Sequence, residues 1–554
     1  MKTKENSQPN EGINETEKKS SPALDRFIYL FAFVFCLTIL FSCGSYSEKY
    51  ETGATDSVEN FSIEDNSVYA NMVDSVGEID QPMNTEEYST IRENEFKYAA
   101  QDPLSTFSID VDKASYSNIR RFLNDNQLPP KDAVRIEELV NYFPYEYDQP
   151  TGEHPFSFTT EIAECPWDHH HKLVHIGIQG KKLDYANLRS CNLVFLVDVS
   201  GSMDDPDKLP LLVKSMKMLV ENLSTSDKVA IVTYAGNAGL VLGSTPASEK
   251  EKIFEALTNL KAGGSTAGGA GIELAYKVAK ENFIKGGNNR VVLATDGDFN
   301  VGIASTGDLV RVIEEKRKDD IYLTICGFGM GNYKDSRMEE ISDAGNGNYF
   351  YIDNIREAQK VFVKEMRANM FTIAKDVKIQ VEFNPAKVSS YRLIGYEDRV
   401  LSKEDFSNDK KDAGELGAGH CVTAIYEVVP VGNESGNKTI PLKYQETKIK
   451  NESEDMFTIK FRYKPINSDK SILLEKPVED ENKKFENASE NLRFAASVAG
   501  FGMLLRDSKF KGSLNYTDLI KMIRNASSFD ADGYRAEFIK LVEAASLLQT
   551  TEKK

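Results

Sequence analysis

The chain has 554 residues, too many for a single hydrophobic core, so two or three domains and a flexible region are expected. With 40% hydrophobic, 28% charged and 10% aromatic residues, its composition is that of an ordinary globular protein, neither disordered throughout nor polytopic in a membrane. A formal net charge of −19 with no basic run argues against an anionic-lipid surface and against a nucleic-acid partner, because phosphate recognition rests on clustered Lys and Arg.

At the start of the chain, polar residues run to Arg26 and an apolar stretch, Phe27 to Phe41 (FIYLFAFVFCLTILF), follows. It falls short of the ~30 Å of a bilayer core but suits the core of a signal peptide. Leu40-Phe41-Ser42-Cys43 resembles a bacterial lipobox, which implies cleavage before Cys43 and acylation of that residue. An uncleaved N-terminal helix is the alternative. Either way the rest of the chain lies outside the cytoplasm; the lipobox reading puts it in the cell envelope, lipid-anchored to a membrane on the periplasmic or extracellular side. Residues 1–43 are therefore read as signal peptide and lipobox. Residues 44–95, rich in Asp, Glu, Ser and Asn and poor in large apolar residues, are read as a disordered acidic tether.

Order is expected from Phe96. In region 96–185, FSIDVD (Phe107 to Asp112) alternates as a strand does, SYSNIRRFLNDNQ has helical spacing, and a second helix runs from Ala133 to Tyr142. Two strands, Phe156 to Glu164 and Leu173 to Gly180, complete an α+β region. In 186–371 the rhythm changes to continuous apolar runs: Asn192 to Val197, Val229 to Ala235, Arg290 to Asp296 and Ile321 to Gly329. Helical patterns lie between and beside them: Leu209 to Leu223, Glu249 to Leu260, Gly271 to Phe283 and Gly307 to Lys318. A short strand (Asn348 to Asp353) and a helix (Ile355 to Phe371) close the unit. This alternation predicts an α/β domain with a doubly wound, mostly parallel sheet. In 372–554, strand patterns return at Val377 to Phe383, Cys421 to Val429 and Met456 to Lys464, then helices at Asn491 to Leu505 and Tyr534 to Leu548. Strand patterns on both sides of the α/β unit predict that it is inserted into a β-rich domain.

Cysteines add little: Cys165, Cys191, Cys326 and Cys421 are dispersed and no CxxC pair occurs, so zinc and thiol-redox signatures are absent. Export permits a disulfide such as Cys165 to Cys421, which the sequence does not establish. His169-His170-His171 and the single Trp167 are read as a solvated turn and a packed ring.

Ligands of an open parallel sheet bind beyond the carboxyl ends of its strands. There the first apolar run ends in Asp198-Val199-Ser200-Gly201-Ser202, a glycine-rich loop GGSTAGGAG presents Thr266 before a helix, and a later run ends in Thr295-Asp296-Gly297-Asp298. Carboxylates, hydroxyls and water are what a hard cation such as Mg²⁺ or Mn²⁺ selects.

DVSGSM, GGSTAGGAG and ATDGD, in that order, resemble the metal-ion-dependent adhesion site (MIDAS) of a von Willebrand factor type A domain, with a Rossmann-like fold. The resemblance implies hydroxyl ligation of a divalent cation, Mg²⁺ foremost with Mn²⁺ or Ca²⁺ as alternatives, by Ser200, Ser202 and Thr266. Asp198 and Asp296 would bind directly or through water. Three hydroxyls and two carboxylates leave the cation electrophilic with a position open, so a protein partner supplying an Asp or Glu carboxylate is expected. No His lies nearby to serve as general base, which favours protein binding over catalysis; a metal-dependent envelope hydrolase using Asp298 or Asp204 is the alternative. The resemblance further implies that the last helix of the unit can shift with metal coordination. The flanks PLSTFSIDVDKASYSNIRRFLNDNQLPPKDAVRIEELVNYFPY and KKDAGELGAGHCVTAIYEVVP resemble those of YfbK-like bacterial lipoproteins, so the similarity spans roughly residues 96 to 550.

Overall fold

The computed structural model describes residues 86–183, 189–235, 237–264, 269–297, 306–331, 333–365, 370–411, 413–433, 449 and 453–552. The stretch read as signal peptide and lipobox, with Cys43, most of the stretch read as a tether, Thr266 and Asp298 lie outside them. Among the described residues no helix is long and apolar enough to cross a membrane.

Phe156–Glu164 and Lys172–Gly180 form an antiparallel hairpin in register from Phe156 opposite Gly180 to Glu164 opposite Lys172. This hairpin continues into a five-stranded antiparallel sheet through Cys421–Pro430, Val388–Ile394 and Lys97–Tyr98. A second antiparallel sheet runs Val400–Leu401, Leu104–Ser108, Thr372–Phe383, Asp455–Pro465 and Ile472–Glu479, with Gly414–Gly417 also on Thr372–Phe383. Val174, Ile176 and Ile178 of the first sheet share a core with Phe107, Val381 and Phe461 of the second, so the two sheets make a sandwich. Both sheets combine strands from before Lys181 and after Phe371. The α/β unit is thus inserted into the sandwich, as the flanking strand patterns predicted.

The opposite face of the five-stranded sheet is also covered: Leu173 and Ile425 pack against Ala114–Asn124, Ile136–Tyr142, Glu490–Arg506, Tyr516–Arg524 and Tyr534–Glu552. Trp167 is buried in this layer as a packing group. Cys165 and Cys421 are free thiols; the second donates to Gln179 Oε1 at 3.0 Å.

The inserted unit has the strand order Tyr349–Ile352, Ile321–Phe328, Asn288–Thr295, Cys191–Asp198, Lys228–Ala235, Asn237–Pro246. The first five are parallel and the last is an antiparallel edge. Val194 and Leu196 face one helical layer while Leu193, Phe195 and Val197 face the other, which is why this strand reads as an unbroken apolar run. Asn288 donates its backbone N–H to Ser190 at 3.0 Å and its side-chain amide to the carbonyl of Met370 at 3.0 Å. The chain therefore enters and leaves at the amino ends of the strands, and their carboxyl ends lie at the opposite pole.

Two expectations need correction. Residues 86–95 belong to the folded body, not to the tether: Arg121 grips both carboxylate oxygens of Glu86, at 2.6 and 2.8 Å, and Glu87 N–H donates to Tyr333. The charge of Glu86 faces a buried guanidinium that composition alone does not reveal. Among the described residues the closing helix is α-helical over Ile355–Gln359 and then opens into a π turn, Lys360–Lys364; residues 366–369 lie outside them.

Candidate metal centre

Sequential strands of this sheet step outward from Cys191–Asp198 to Lys228–Ala235 and Asn237–Pro246, and the chain then crosses back to place Asn288–Thr295 on the other side of Cys191–Asp198. That reversal opens a crevice between two adjacent carboxyl ends, the topological switch point where ligands of open α/β sheets bind. Asp198 ends one of these strands and Asp296 follows the other directly, so the topology brings the two carboxylates to one crevice.

Both carboxylates are fully buried, and Ser200 is nearly so. Asp198 Oδ1 accepts the Ser200 backbone N–H at 2.8 Å, while Oδ2 accepts the hydroxyls of Tyr234 and Thr295, each at 3.1 Å. Burial pushes the Asp198 carboxyl above its ordinary range; the Ser200 hydrogen bonds oppose this and the nearby Asp296 charge adds to it. Ser200 Oγ and Ser202 Oγ stand 3.0 Å apart, with the main chain turning through a short 3₁₀ segment, Gly201–Asp204, around buried Met203. The glycine-rich loop is stitched to this turn: Gly201 N–H donates to Gly264 O at 3.2 Å and Gly263 N–H to Val199 O at 2.8 Å. Gly297, at φ +103°, turns the chain away just after Asp296.

Asp296 is satisfied on one side only. Its Oδ2 accepts the ammonium of Lys208 at 3.1 Å, and its Oδ1 is buried with no partner among the described residues. An orphaned buried acceptor costs roughly 1–3 kcal/mol. A divalent cation between two carboxylates and two facing hydroxyls would remove that cost, so the residues present fit the hard cation that their motif implies. Among the described residues no group of three or more His, Cys, Asp or Glu is placed to hold a metal, and this crevice offers two carboxylates with hydroxyls beside them.

The structure thus brings together four of the five predicted ligands, Asp198, Ser200, Ser202 and Asp296; the fifth, Thr266, lies outside the described residues. Asp204, weighed as a base, is exposed. Sequence reasoning missed three residues here. Tyr234 and Thr295 brace Asp198 from neighbouring strand ends; Thr295 stands in the strand-end motif but was given no role, and within its apolar run nothing marked Tyr234. Lys208 stood unnoticed in the stretch before Leu209–Glu221. Of the three adjacent histidines, His169 and His170 are exposed, and His171 turns inward to Glu427 at 2.6 Å.

Comparison with known proteins follows the same division. Residues 192–364 match the von Willebrand factor type A domain, residues 82–175 a family described as von Willebrand factor, and residues 368–548 the C-terminal region of the uncharacterised protein YfbK. YfbK of Escherichia coli strain K12 is 43% identical over 469 residues, covering 83% of this chain and 81% of that protein. The uncharacterised protein YwmC of Bacillus subtilis is 25% identical over 195 residues, 31% of this chain and 82% of its own. A solved von Willebrand factor type A protein from Catenulispora acidiphila is 17% identical with a TM-score of 0.38, covering 65% of this chain and 81% of its own.

Proposed function

The chain belongs to the YfbK family of proteins carrying a von Willebrand factor type A domain, and we propose that it is a protein-binding module anchored in the cell envelope, engaging an acidic group of its partner through a divalent cation. The observation that carries this reading is the crevice at the switch point, where two buried carboxylates and two hydroxyls converge and Asp296 Oδ1 lacks a partner. Asp198, Ser200, Ser202 and Asp296 would hold the cation, with Thr266 as the fifth ligand that the motif supplies. Mg²⁺ fits this donor set best, and Mn²⁺ or Ca²⁺ would also find oxygen ligands. When bound, the cation supplies a Lewis-acidic position at the protein surface that an Asp or Glu carboxylate can occupy.

This chain's own residues fix how that happens. Tyr234 and Thr295 donate to Asp198 Oδ2 and hold its carboxylate in one orientation. The two serines present oxygens to the same space without adding charge, so the site stays short of negative charge and attracts a carboxylate from outside. A binding role is favoured over catalysis because none of the six histidines falls within residues 186–371 and the exposed Asp204 carboxylate is left to solvent. Lipidation at Cys43 would hold the module at the membrane, on the periplasmic or extracellular side.

The test is thermal. Millimolar Mg²⁺ or Mn²⁺ is expected to raise the melting temperature of the wild type, and Asp198→Ala to abolish that rise. Identical wild-type curves in Mg²⁺ and in EDTA would overturn the reading. A protein co-purifying in Mg²⁺ and lost with Ser200→Ala/Ser202→Ala identifies the partner.

A further inference from the structure

Lys208 is an unusual neighbour for a cation site. Its side chain is only 6% exposed, and its ammonium lies against Asp296 Oδ2 at 3.1 Å, the Ser202 carbonyl at 2.8 Å and Asp205 Oδ2 at 3.4 Å. The residue is held from both ends. Its backbone carbonyl accepts the Leu212 N–H at 2.8 Å at the start of Leu209–Glu221. Its stem crosses Gly329, where a Cβ would overlap Cγ, Cδ and Cε of the lysine. Gly329 also has φ +73°, so both the bend and the space it leaves for the lysine depend on the missing side chain.

We propose that the Lys208 ammonium is a built-in cation of this site, occupying the Asp296 carboxylate until a divalent ion displaces it, and so sets the threshold concentration at which the site loads. The inference rests on the metal reading above and adds to it a competitor tethered within the chain. Three observations support it. A buried carboxylate with one oxygen on an ammonium and the other without a partner is half-neutralised, which stabilises the metal-free fold. A divalent ion and an ammonium on one carboxylate repel each other at short range in a site of low dielectric. A second seat also exists: Asp205 is 67% exposed and already within 3.4 Å of the ammonium, so the lysine can turn outward to a solvated carboxylate as the ion enters. Loading then exchanges Lys208 from Asp296 to Asp205, with no change in the main chain required.

The experiment is Mg²⁺ and Mn²⁺ titration of the full chain by calorimetry, with melting curves in EDTA and in each ion. Lys208→Met is expected to bind the ion about ten- to a hundredfold more tightly, the range that a charge-assisted hydrogen bond commands. Lys208→Met should also melt lower than wild type in EDTA and show a larger ion-induced rise; a variant that folds only with the ion present meets the same expectation. Asp205→Asn, which removes the second seat, is expected to weaken binding several-fold. Lys261→Met makes the same change of charge on the exposed approach to the glycine-rich loop, and no tightening is expected from it. Wild-type binding that Lys208→Met leaves equal or weakens overturns this inference alone, as does equal tightening by Lys261→Met. No binding by the wild type or by Lys208→Met overturns the metal reading and this inference with it, whereas binding by Lys208→Met alone shows the lysine to be the dominant occupant.

Discussion

Replacing Arg120 with Met tests what holds the inserted domain to its frame. Arg120 lies on Ala114–Asn124 and is buried, yet it meets three carboxylates from two other parts of the chain. Its Nε and one terminal nitrogen grip Asp353 at 2.8 and 2.5 Å; the same nitrogen reaches Glu357 at 2.7 Å, and the other reaches Glu537 at 2.9 Å. Tyr142 accepts from Arg120 at 3.0 Å and donates to Glu357 at 2.7 Å. Asp353 and Glu357 flank the start of the closing helix, and their side chains are only 5% and 2% exposed. Removing the guanidinium strands both charges, and breaking a buried pair of this kind costs about 3–5 kcal/mol. If the loss falls on the closing helix, amides of residues 355–365 should exchange with solvent faster by about two to four powers of ten, at 1.4 kcal/mol per tenfold. Glu357→Leu in the Arg120→Met background removes one stranded charge and should recover part of the loss. Hydrogen exchange read by mass spectrometry decides it. Acceleration below about threefold in 355–365 would refute the view that this network anchors the helix, as would a loss confined to the sandwich.

Two further outcomes follow from single residues. His175 is fully buried on Lys172–Gly180, an interior strand of the five-stranded sheet, Nε2 on the Tyr147 hydroxyl at 2.9 Å, and burial pushes its pKa down to about 4. The unfolded chain takes up this proton below about pH 6.5 while the folded one stays neutral, so this group costs stability as pH drops from about 6.5 to 4, by roughly 3 kcal/mol; denaturant titrations should show the wild type losing about that much more than His175→Gln across this range, and equal slopes would contradict it. At Gly347, in the turn before Tyr349–Ile352, a Cβ would land inside the Leu323 carbonyl, and backbone cannot yield as a flexible side chain does. Gly347→Ala is expected to cost more than the roughly 1–3 kcal/mol of ordinary overpacking, read as a lowered melting temperature or loss of soluble protein, and a wild-type melting curve would contradict it.

What was legible in the sequence follows from what each signal depends on. Leu193 to Val197 and Val291 to Ala294 are buried on both sheet faces, so their run of apolar residues identifies them without any knowledge of partners. Asn237–Pro246 escaped notice because it is an edge strand: Leu240 and Val241 are 52% and 44% exposed, and glycines interrupt the alternation. Ile472–Glu479 is an edge of the same kind, with one buried residue in eight. At the site, Asp198, Ser200, Ser202 and Asp296 were readable because strand ends and tight turns fix their spacing locally. Lys208 was not, because its meaning lies in a contact with Asp296, 88 residues away. Glu86 hid for the same reason, its partner Arg121 lying 35 residues on.

The two ends of the inserted unit do different work. Its carboxyl pole offers the crevice with Asp198 and Asp296, while its amino pole carries both crossings to the sandwich, where Phe371 and Lys181 accept the backbone N–H groups of Ala418 and Gly419 at 2.8 and 3.0 Å. A partner gripped at the first pole therefore pulls through the parallel sheet on the crossing at Lys181, whereas the crossing at Phe371 is reached through the closing helix. That helix is held by a separate set of contacts: Arg120 on Asp353 and Glu357, and Lys113 and Lys360 on Glu365 at 3.0 and 2.6 Å. A ligand that shifts the helix must offset whatever part of these contacts the shift breaks, and it can do so only through a difference in affinity between the two positions. Losing the Arg120 pairs alone, at about 3–5 kcal/mol, requires a preference of roughly two to four powers of ten. One added carboxylate contact that discriminates between the two positions no better than a charge-assisted hydrogen bond, about 1.5–3 kcal/mol, falls short of most of that range. In this family member, partner binding at the crevice is therefore expected to leave the closing helix where it is, with hydrogen exchange in 355–365 unchanged by Mg²⁺ and partner in the wild type and responsive to them only in Arg120→Met.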